Sequence, residues 1–178
     1  MKVLHRGEFL ELRREGHWEY VRRAKASGSV HILAVTDAQE LLLVQQYRVP
    51  VGQDTIELPA GVIGDEAEFA EESVLECARR ELLEETGYQA SQVELIQRSP
   101  TAPGMSSEIQ HLVRATGLVR MGEGGGVAGE NITVHRVDLR SVGQWLEQQQ
   151  GGGLLLDHRV HAALYWCEKK PTDHSHKA

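Results

Sequence analysis

Three glutamates, Glu81, Glu84 and Glu85, stand at positions i, i+3 and i+4 of the segment A-R-R-E-L-L-E-E-T-G-Y, Ala78 to Tyr88. On a helix that spacing brings all three side chains out on one face. Like charges so placed repel, each pair costing roughly 0.2–0.5 kcal/mol on an exposed surface. A sequence shaped for helix stability alone would alternate Glu with Lys. Hard oxygen ligands gathered in this way suit Mg²⁺ or Mn²⁺. Spacing alone fits a solvated acidic face as well, so the longer pattern around the three residues has to decide.

The elements that must position them can be read from periodicity. Val74, Leu75, Ala78 and Leu82 recur at intervals of three and four and predict a helix over 71–86, closed by Gly87 as C-cap. Upstream, residues 18–23 read as an early strand. The branched, apolar runs 30–35 and 41–47, separated by the turn-like Thr36-Asp37-Ala38-Gln39, read as a hairpin. A short strand is expected at 55–58, others at 93–97, 109–115 and 132–139, and two helices at 142–150 and 155–169. Glycines 122, 124, 125, 126 and 129 mark a mobile loop. Strands with one strongly patterned internal helix and two late ones indicate an α/β or α+β sandwich.

Length and composition set the frame. The 178 residues fit one domain, expected over 1–170, and the polar tail 171–178 is expected to be disordered. With 40% hydrophobic and 25% charged residues the balance is that of a soluble globular protein. No apolar run approaches the ~18 residues of a membrane span, and the charged N-terminus has no signal-peptide core. Cys77 and Cys167 are too few for a disulfide framework, which points to the cytoplasm. A net charge of −7 argues against a nucleic-acid partner. It also sits awkwardly with a phosphate-bearing substrate unless a divalent cation is held between the acids.

The longer pattern is Glu72, seven intervening residues, then R-E-L-L-E-E-T-G-Y. It resembles the Nudix box, G-x5-E-x7-R-E-U-x-E-E-x-G-U, with Glu72, Arg80, Glu81, Leu82, Glu84, Glu85, Gly87 and Tyr88 in place. There is one departure. The box expects glycine at 66, where the chain has Glu66; the matching glycine is Gly61, so the loop to Glu72 is about five residues longer. The resemblance implies an α/β/α sandwich with a mixed central sheet and an N-terminal β segment. It also implies an Mg²⁺-dependent enzyme (Mn²⁺ as the other candidate) in which water attacks one phosphorus of a diphosphate. Glu81 and Glu85 would be the main metal ligands with Glu84 close by, and Arg80 would orient them through an ion pair to Glu72.

Beyond the box, from about Trp18 to Trp166, the chain is similar to the ADP-ribose pyrophosphatase branch, whose members hydrolyse nucleoside diphosphate sugars. Q-Q-Y-R-V-P-V at 45–51 resembles its Q-Y-R-x-P signature, giving Arg48 to the substrate. E-L-P-A-G at 57–61 resembles its entry to the box, making the Ala60 carbonyl a metal ligand. P-G-M-S-S-E at 103–108 resembles its P-G-x-S-x-E element, which implies Glu108 near the terminal sugar and Met105 among the substrate-binding residues. The general base falls on the glycine loop, where Glu130 and Glu123 are the candidates, with Glu84 or Glu85 as alternatives. H-W-E-Y-V-R-R at 17–23 resembles a strand that binds the nucleobase across a homodimer built on residues 1–28; the resemblance implies Trp18 stacking on the base and Glu19, Arg22 or Arg23 hydrogen-bonding to it. Trp18 packed in an interface or core is an equal reading. GDP-mannose or a dinucleoside polyphosphate are alternative substrates, and a non-catalytic nucleotide-sugar sensor is a third reading.

Overall fold

The computed structural model describes residues 1–127 and 129–169, so the tail expected over 171–178 lies outside the described residues. The chain opens with three antiparallel strands, β1 (Lys2–Arg6), β2 (Leu10–Glu15) and β3 (Trp18–Arg23), which form a sheet of their own. Then come β4 (Gly28–Ala34), β5 (Glu40–Arg48), β6 (Gln53–Glu57) and β7 (Ala60–Ile63). Helix α1 (Val74–Thr86) follows, then β8 (Tyr88–Pro100), β9 (Ile109–Arg120) and β10 (Thr133–Asp138). Helix α2 (Val142–Gly151), the two-residue β11 (Leu155–Leu156) and α3 (His158–Glu168) complete the order.

The expected mixed sheet is divided in two. One sheet has the order β7-β4-β9-β8, with β4 parallel to β9; the other is β10-β5-β6-β11, with β11 parallel to β6. On one side Val30, Ile32 and Ala34 of β4 pack with Cys77, Ala78 and Leu82 of α1. On the other, Leu33 joins Leu41, Leu43 and Ile56 beneath Val142 and Leu146 of α2 and Val160 and Ala163 of α3. The result is an α/β sandwich with α1 on one face and α2 and α3 on the other. Among the described residues no helix is long and apolar enough to cross a membrane.

This layering corrects the expected hairpin at 30–47. β4 and β5 lie in different sheets, joined through a single isolated bridge, Val35 to Leu41. Every residue of β4 is buried and so are Leu41 to Val44 of β5. A strand apolar on both faces belongs in the interior of a layered sandwich, whereas a half-exposed hairpin would show alternation. The turn, with Gln39 at φ 61°, passes the chain from one sheet to the other.

Two helix starts also shift. The helix expected from Glu71 begins at Val74, because Ser73 and Glu76 form a reciprocal capping box that satisfies the first free N–H groups. The helix expected from Leu155 begins at His158, because Leu155 and Leu156 pair with Thr55 and Ile56 and the Asp157 side chain caps α3.

Candidate functional site

The acidic ridge sits on the C-terminal half of α1. Gly87 adopts the left-handed conformation (φ 74°) that ends the helix, and its N–H donates to the Leu83 carbonyl. Arg80 stands at the centre of the ridge. Its guanidinium bonds Glu72 at 2.8 and 3.2 Å, Glu81 at 2.9 Å and Glu84 at 3.0 Å. The longer loop has therefore not displaced Glu72 from the partner that the box pattern assigns to it. Gly61 in β7 lies against the ridge so closely that an added Cβ would fall on the Glu81 carboxylate. Beside it the Ala60 N–H donates to Glu85 Oε2 at 2.9 Å.

These carboxyls resist ionisation. Burial raises the Glu85 pKa to about 8, with the charges of Glu81 and Glu130 adding to the rise and the Ala60 N–H and Arg48 opposing it. Burial likewise raises Glu81 to about 7, opposed by Arg80 and reinforced by Glu84 and Glu130. Burial opposes the charge on Arg80 too, but the bonded Glu72 and nearby Glu81 more than offset that and raise its pKa. Four carboxyls, those of Glu72, Glu81, Glu84 and Glu85, are gathered around this one arginine, so ionising all of them would leave the ridge short of positive charge.

A divalent cation fits this deficit by donor chemistry. Glu81 and Glu84 each give one oxygen to Arg80, and Glu85 gives one to Ala60. Among the described residues the second oxygen of each takes no hydrogen bond. As they stand, no three acidic, histidine or cysteine side chains among the described residues are close enough to hold an ion. Hard oxygen donors, half of them uncommitted and short of positive charge, suit Mg²⁺ or Mn²⁺.

The ridge forms one wall of a cleft of about 1040 Å³. Of the residues named from sequence, Arg23, Arg48, Ala60, Glu81, Glu84, Glu85, Met105, Glu108 and Glu130 line it. Arg48 forms a two-pronged pair with Glu57 on the adjacent strand β6, at 2.7 and 2.8 Å. Arg23 and Glu108 bond each other at 2.5 Å. The loop at 102–108 is stitched to β3, where the Val21 N–H donates to the Met105 carbonyl at 2.8 Å and the Ser107 N–H to the Val21 carbonyl at 3.1 Å.

Trp18, Glu19 and Glu123 lie elsewhere. Successive side chains on a strand face opposite ways, so Trp18 is on the other face of β3 from Val21 and Arg23. It is 53% exposed and stacks near His17. Glu19 is exposed and pairs with Arg14 across the β2–β3 pair. Glu123 is fully outside the cleft, held to Arg120 at 2.7 Å. Glu130, by contrast, is close enough to Glu81 and Glu85 to raise both, and its carboxylate accepts the Val127 N–H at 3.0 Å.

The glycine loop also does something its composition did not reveal. The Gly125 N–H donates to the Glu85 carbonyl at 2.8 Å and the Gly126 N–H to the Glu84 carbonyl at 3.0 Å. The loop thus satisfies carbonyls left open at the end of α1. Gly124 (φ 73°) lies where a Cβ would collide with the backbone of Glu85 to Gly87. Close approach accounts for that glycine.

Sequence reasoning missed several cleft residues. Glu57 stands in the quoted E-L-P-A-G segment; its signal was its place opposite the Q-Y-R strand, which needs the sheet pairing to be seen. Asp157 and Arg159 pair at the start of α3, and an Arg159 N–H donates to the His31 ring at 3.0 Å. His31 is on β4 and buried. Burial and the Arg159 charge lower its pKa to about 3, so its ring is a neutral acceptor.

Comparison with known proteins places this geometry in context. The profile of the NUDIX domain family matches residues 26–165. An ADP-ribose pyrophosphatase of Bacillus subtilis (strain 168) is 40% identical over 96 residues, covering 53% of this chain and 48% of that protein. A GDP-mannose pyrophosphatase of Cronobacter sakazakii is 32% identical over 147 residues, covering 75% and 73%. The chain thus spans about half the length of the first relative and nearly three quarters of the second. A solved structure described as an ADP compounds hydrolase superposes with a TM-score of 0.71 over 94% of this chain and 89% of that one, at 22% identity, a likeness of fold.

Proposed function

The chain belongs to the NUDIX family, and on that premise we propose that it hydrolyses the diphosphate of ADP-ribose or a related nucleoside diphosphate sugar. The products are a nucleoside monophosphate and a sugar phosphate. The observation that carries the reading is the convergence of Glu81, Glu84, Glu85 and Ala60 on one wall of the cleft that Arg48, Met105 and Glu108 line. The names of the relatives, a pyrophosphatase of ADP-ribose and one of GDP-mannose, support the substrate class.

Glu81, Glu85, Glu84 and the Ala60 carbonyl would hold Mg²⁺ or Mn²⁺. Such a cation supplies charge neutralisation at the phosphate oxygens and a lowered pKa for the attacking water. The chain's own groups do the rest. Arg80 keeps the ridge glutamates in register. Arg48 and Arg23 face the cleft as cations for the anionic substrate, each kept in place by a carboxylate partner. Glu130 is the base that accepts the proton of water as the new P–O bond forms and the P–O–P bridge breaks, the bridging oxygen leaving with the departing phosphate. We prefer it to Glu123, which is tied to Arg120 outside the cleft, and to Glu84, whose carboxylate is shared with Arg80.

Residues 1–170 act as one catalytic unit. The N-terminal sheet exposes Val3 and Trp18 on one face, and Phe9 is exposed in the turn between β1 and β2, apolar surface that suits pairing with a second copy. In that arrangement Trp18, turned from its own cleft, reaches the partner's.

The test is a phosphate-release screen over ADP-ribose, ADP-glucose, GDP-mannose and diadenosine polyphosphates, with Mg²⁺ and with chelator. Turnover of ADP-ribose or another nucleotide sugar that stops with chelator is expected. Preference for GDP-mannose selects the second substrate reading; binding without turnover of any substrate selects a sensor and contradicts the enzyme.

A further inference from the structure

We propose that Phe69, carried by the lengthened loop, is a positioning residue for the glutamate ridge and acts through Arg80. The proposal rests on the reading of that ridge as a cation site.

One guanidinium serves three carboxylates here, through N–H groups that all lie in its own plane. The plane's faces are left without donors. Arg80 Cζ lies over the Phe69 ring, 4.3 Å from its centroid. A ring in that position attracts the cation and keeps water from competing for the N–H groups, yet uses none of them. The Arg80 side chain is accordingly only 19% exposed although it stands at a cleft wall.

The loop delivers the ring. Ten residues separate Gly61 from Glu72, where the box has five. Within them Gly64 turns at φ 70°, and a 3₁₀ turn follows over Ala67–Phe69. The Phe69 N–H donates to the Glu66 carbonyl at 3.1 Å and the Glu72 N–H to the Phe69 carbonyl at 3.0 Å. The ring against Arg80 and the carboxylate beside it thus come from one hydrogen-bonded turn. The added residues tighten the grip on Arg80 and so fix Glu81 and Glu84.

Titration with Mn²⁺, read by the electron-spin signal of the free ion, tests this on wild type, Phe69→Ala, Phe69→Leu, Phe69→Tyr and Glu85→Gln, alongside thermal melts. Phe69→Leu keeps an apolar filler and guards against loss of the fold. Phe69→Ala and Phe69→Leu are expected to weaken Mn²⁺ binding roughly threefold to tenfold. Phe69→Tyr, which keeps the ring, should stay within about twofold of wild type. Leucine binding as well as phenylalanine, or tyrosine binding as poorly as alanine, overturns the role of the ring. Unchanged affinity in Phe69→Ala beside abolished binding in Glu85→Gln overturns the positioning role and leaves the site reading standing. A wild type that binds no Mn²⁺ overturns both.

Discussion

At the scale of single residues, the account turns on carboxyls that stay protonated more readily than they should. Glu85 and Glu81 have folded pKa values of about 8 and 7, above the ordinary 4.5. A group raised in the folded state gives stability that is complete below its unfolded pKa and lost as pH rises through the folded one. His31, lowered to about 3, works the other way, but its effect is complete above 6.5. Between pH 6.5 and 8 the metal-free protein is therefore expected to lose stability as pH rises, and Glu85→Gln should flatten that loss. Melts in chelator across this range check it; equal slopes in both proteins would contradict the assignment. In the loaded enzyme the same substitution should lower kcat about a thousandfold or more, with the fold intact. Glu81, Glu84 and Glu85 were legible in the sequence because their spacing is a helical face and the longer pattern from Glu72 to Tyr88 sets it apart from a solvated one. Glu57 and Phe69 were not: one is defined by a cross-strand partner and the other by the shape of a loop that departs from the box.

At the scale of elements, the ridge depends on how α1 begins and on what lies against it. Ser73→Ala removes one half of the capping box and should cost about 1 kcal/mol of stability, measured by denaturant unfolding, with kcat nearly unchanged. Gly61→Ala should behave in the opposite sense. Its methyl would occupy the space of the Glu81 carboxylate, so cation affinity and kcat should fall sharply while the melting temperature shifts little. Full activity in Gly61→Ala would show that β7 does not set the position of Glu81. The elements themselves were largely legible, since α1, α2, β3 and β10 follow from periodicity and caps. The pairing of β4 and β5 was not. A strand apolar on both faces loses the alternation that signals which side is buried, so adjacency in sequence was read as adjacency in the sheet.

At the scale of the whole molecule, two sheets bring together segments far apart in the chain: the Arg48–Glu57 pair, the α1 ridge, the 102–108 loop and the start of α3. The N-terminal sheet joins them through β3 and the Met105 loop, so its outer face is free for a second copy. Light scattering should give a dimer mass, and a charged residue in place of Phe9 should shift it toward the monomer; a monomeric wild type would leave Trp18 without a cleft to serve. The central claim, however, is that the ridge on α1 grips the cations that hold a diphosphate. The most direct measurement is anomalous scattering from crystals grown with Mn²⁺ and a non-hydrolysable ADP-ribose analogue. The account predicts peaks in contact with Glu81, Glu85 and the Ala60 carbonyl, with the analogue's diphosphate against them. A ridge bare of metal, with the analogue bound in another part of the molecule, would contradict it.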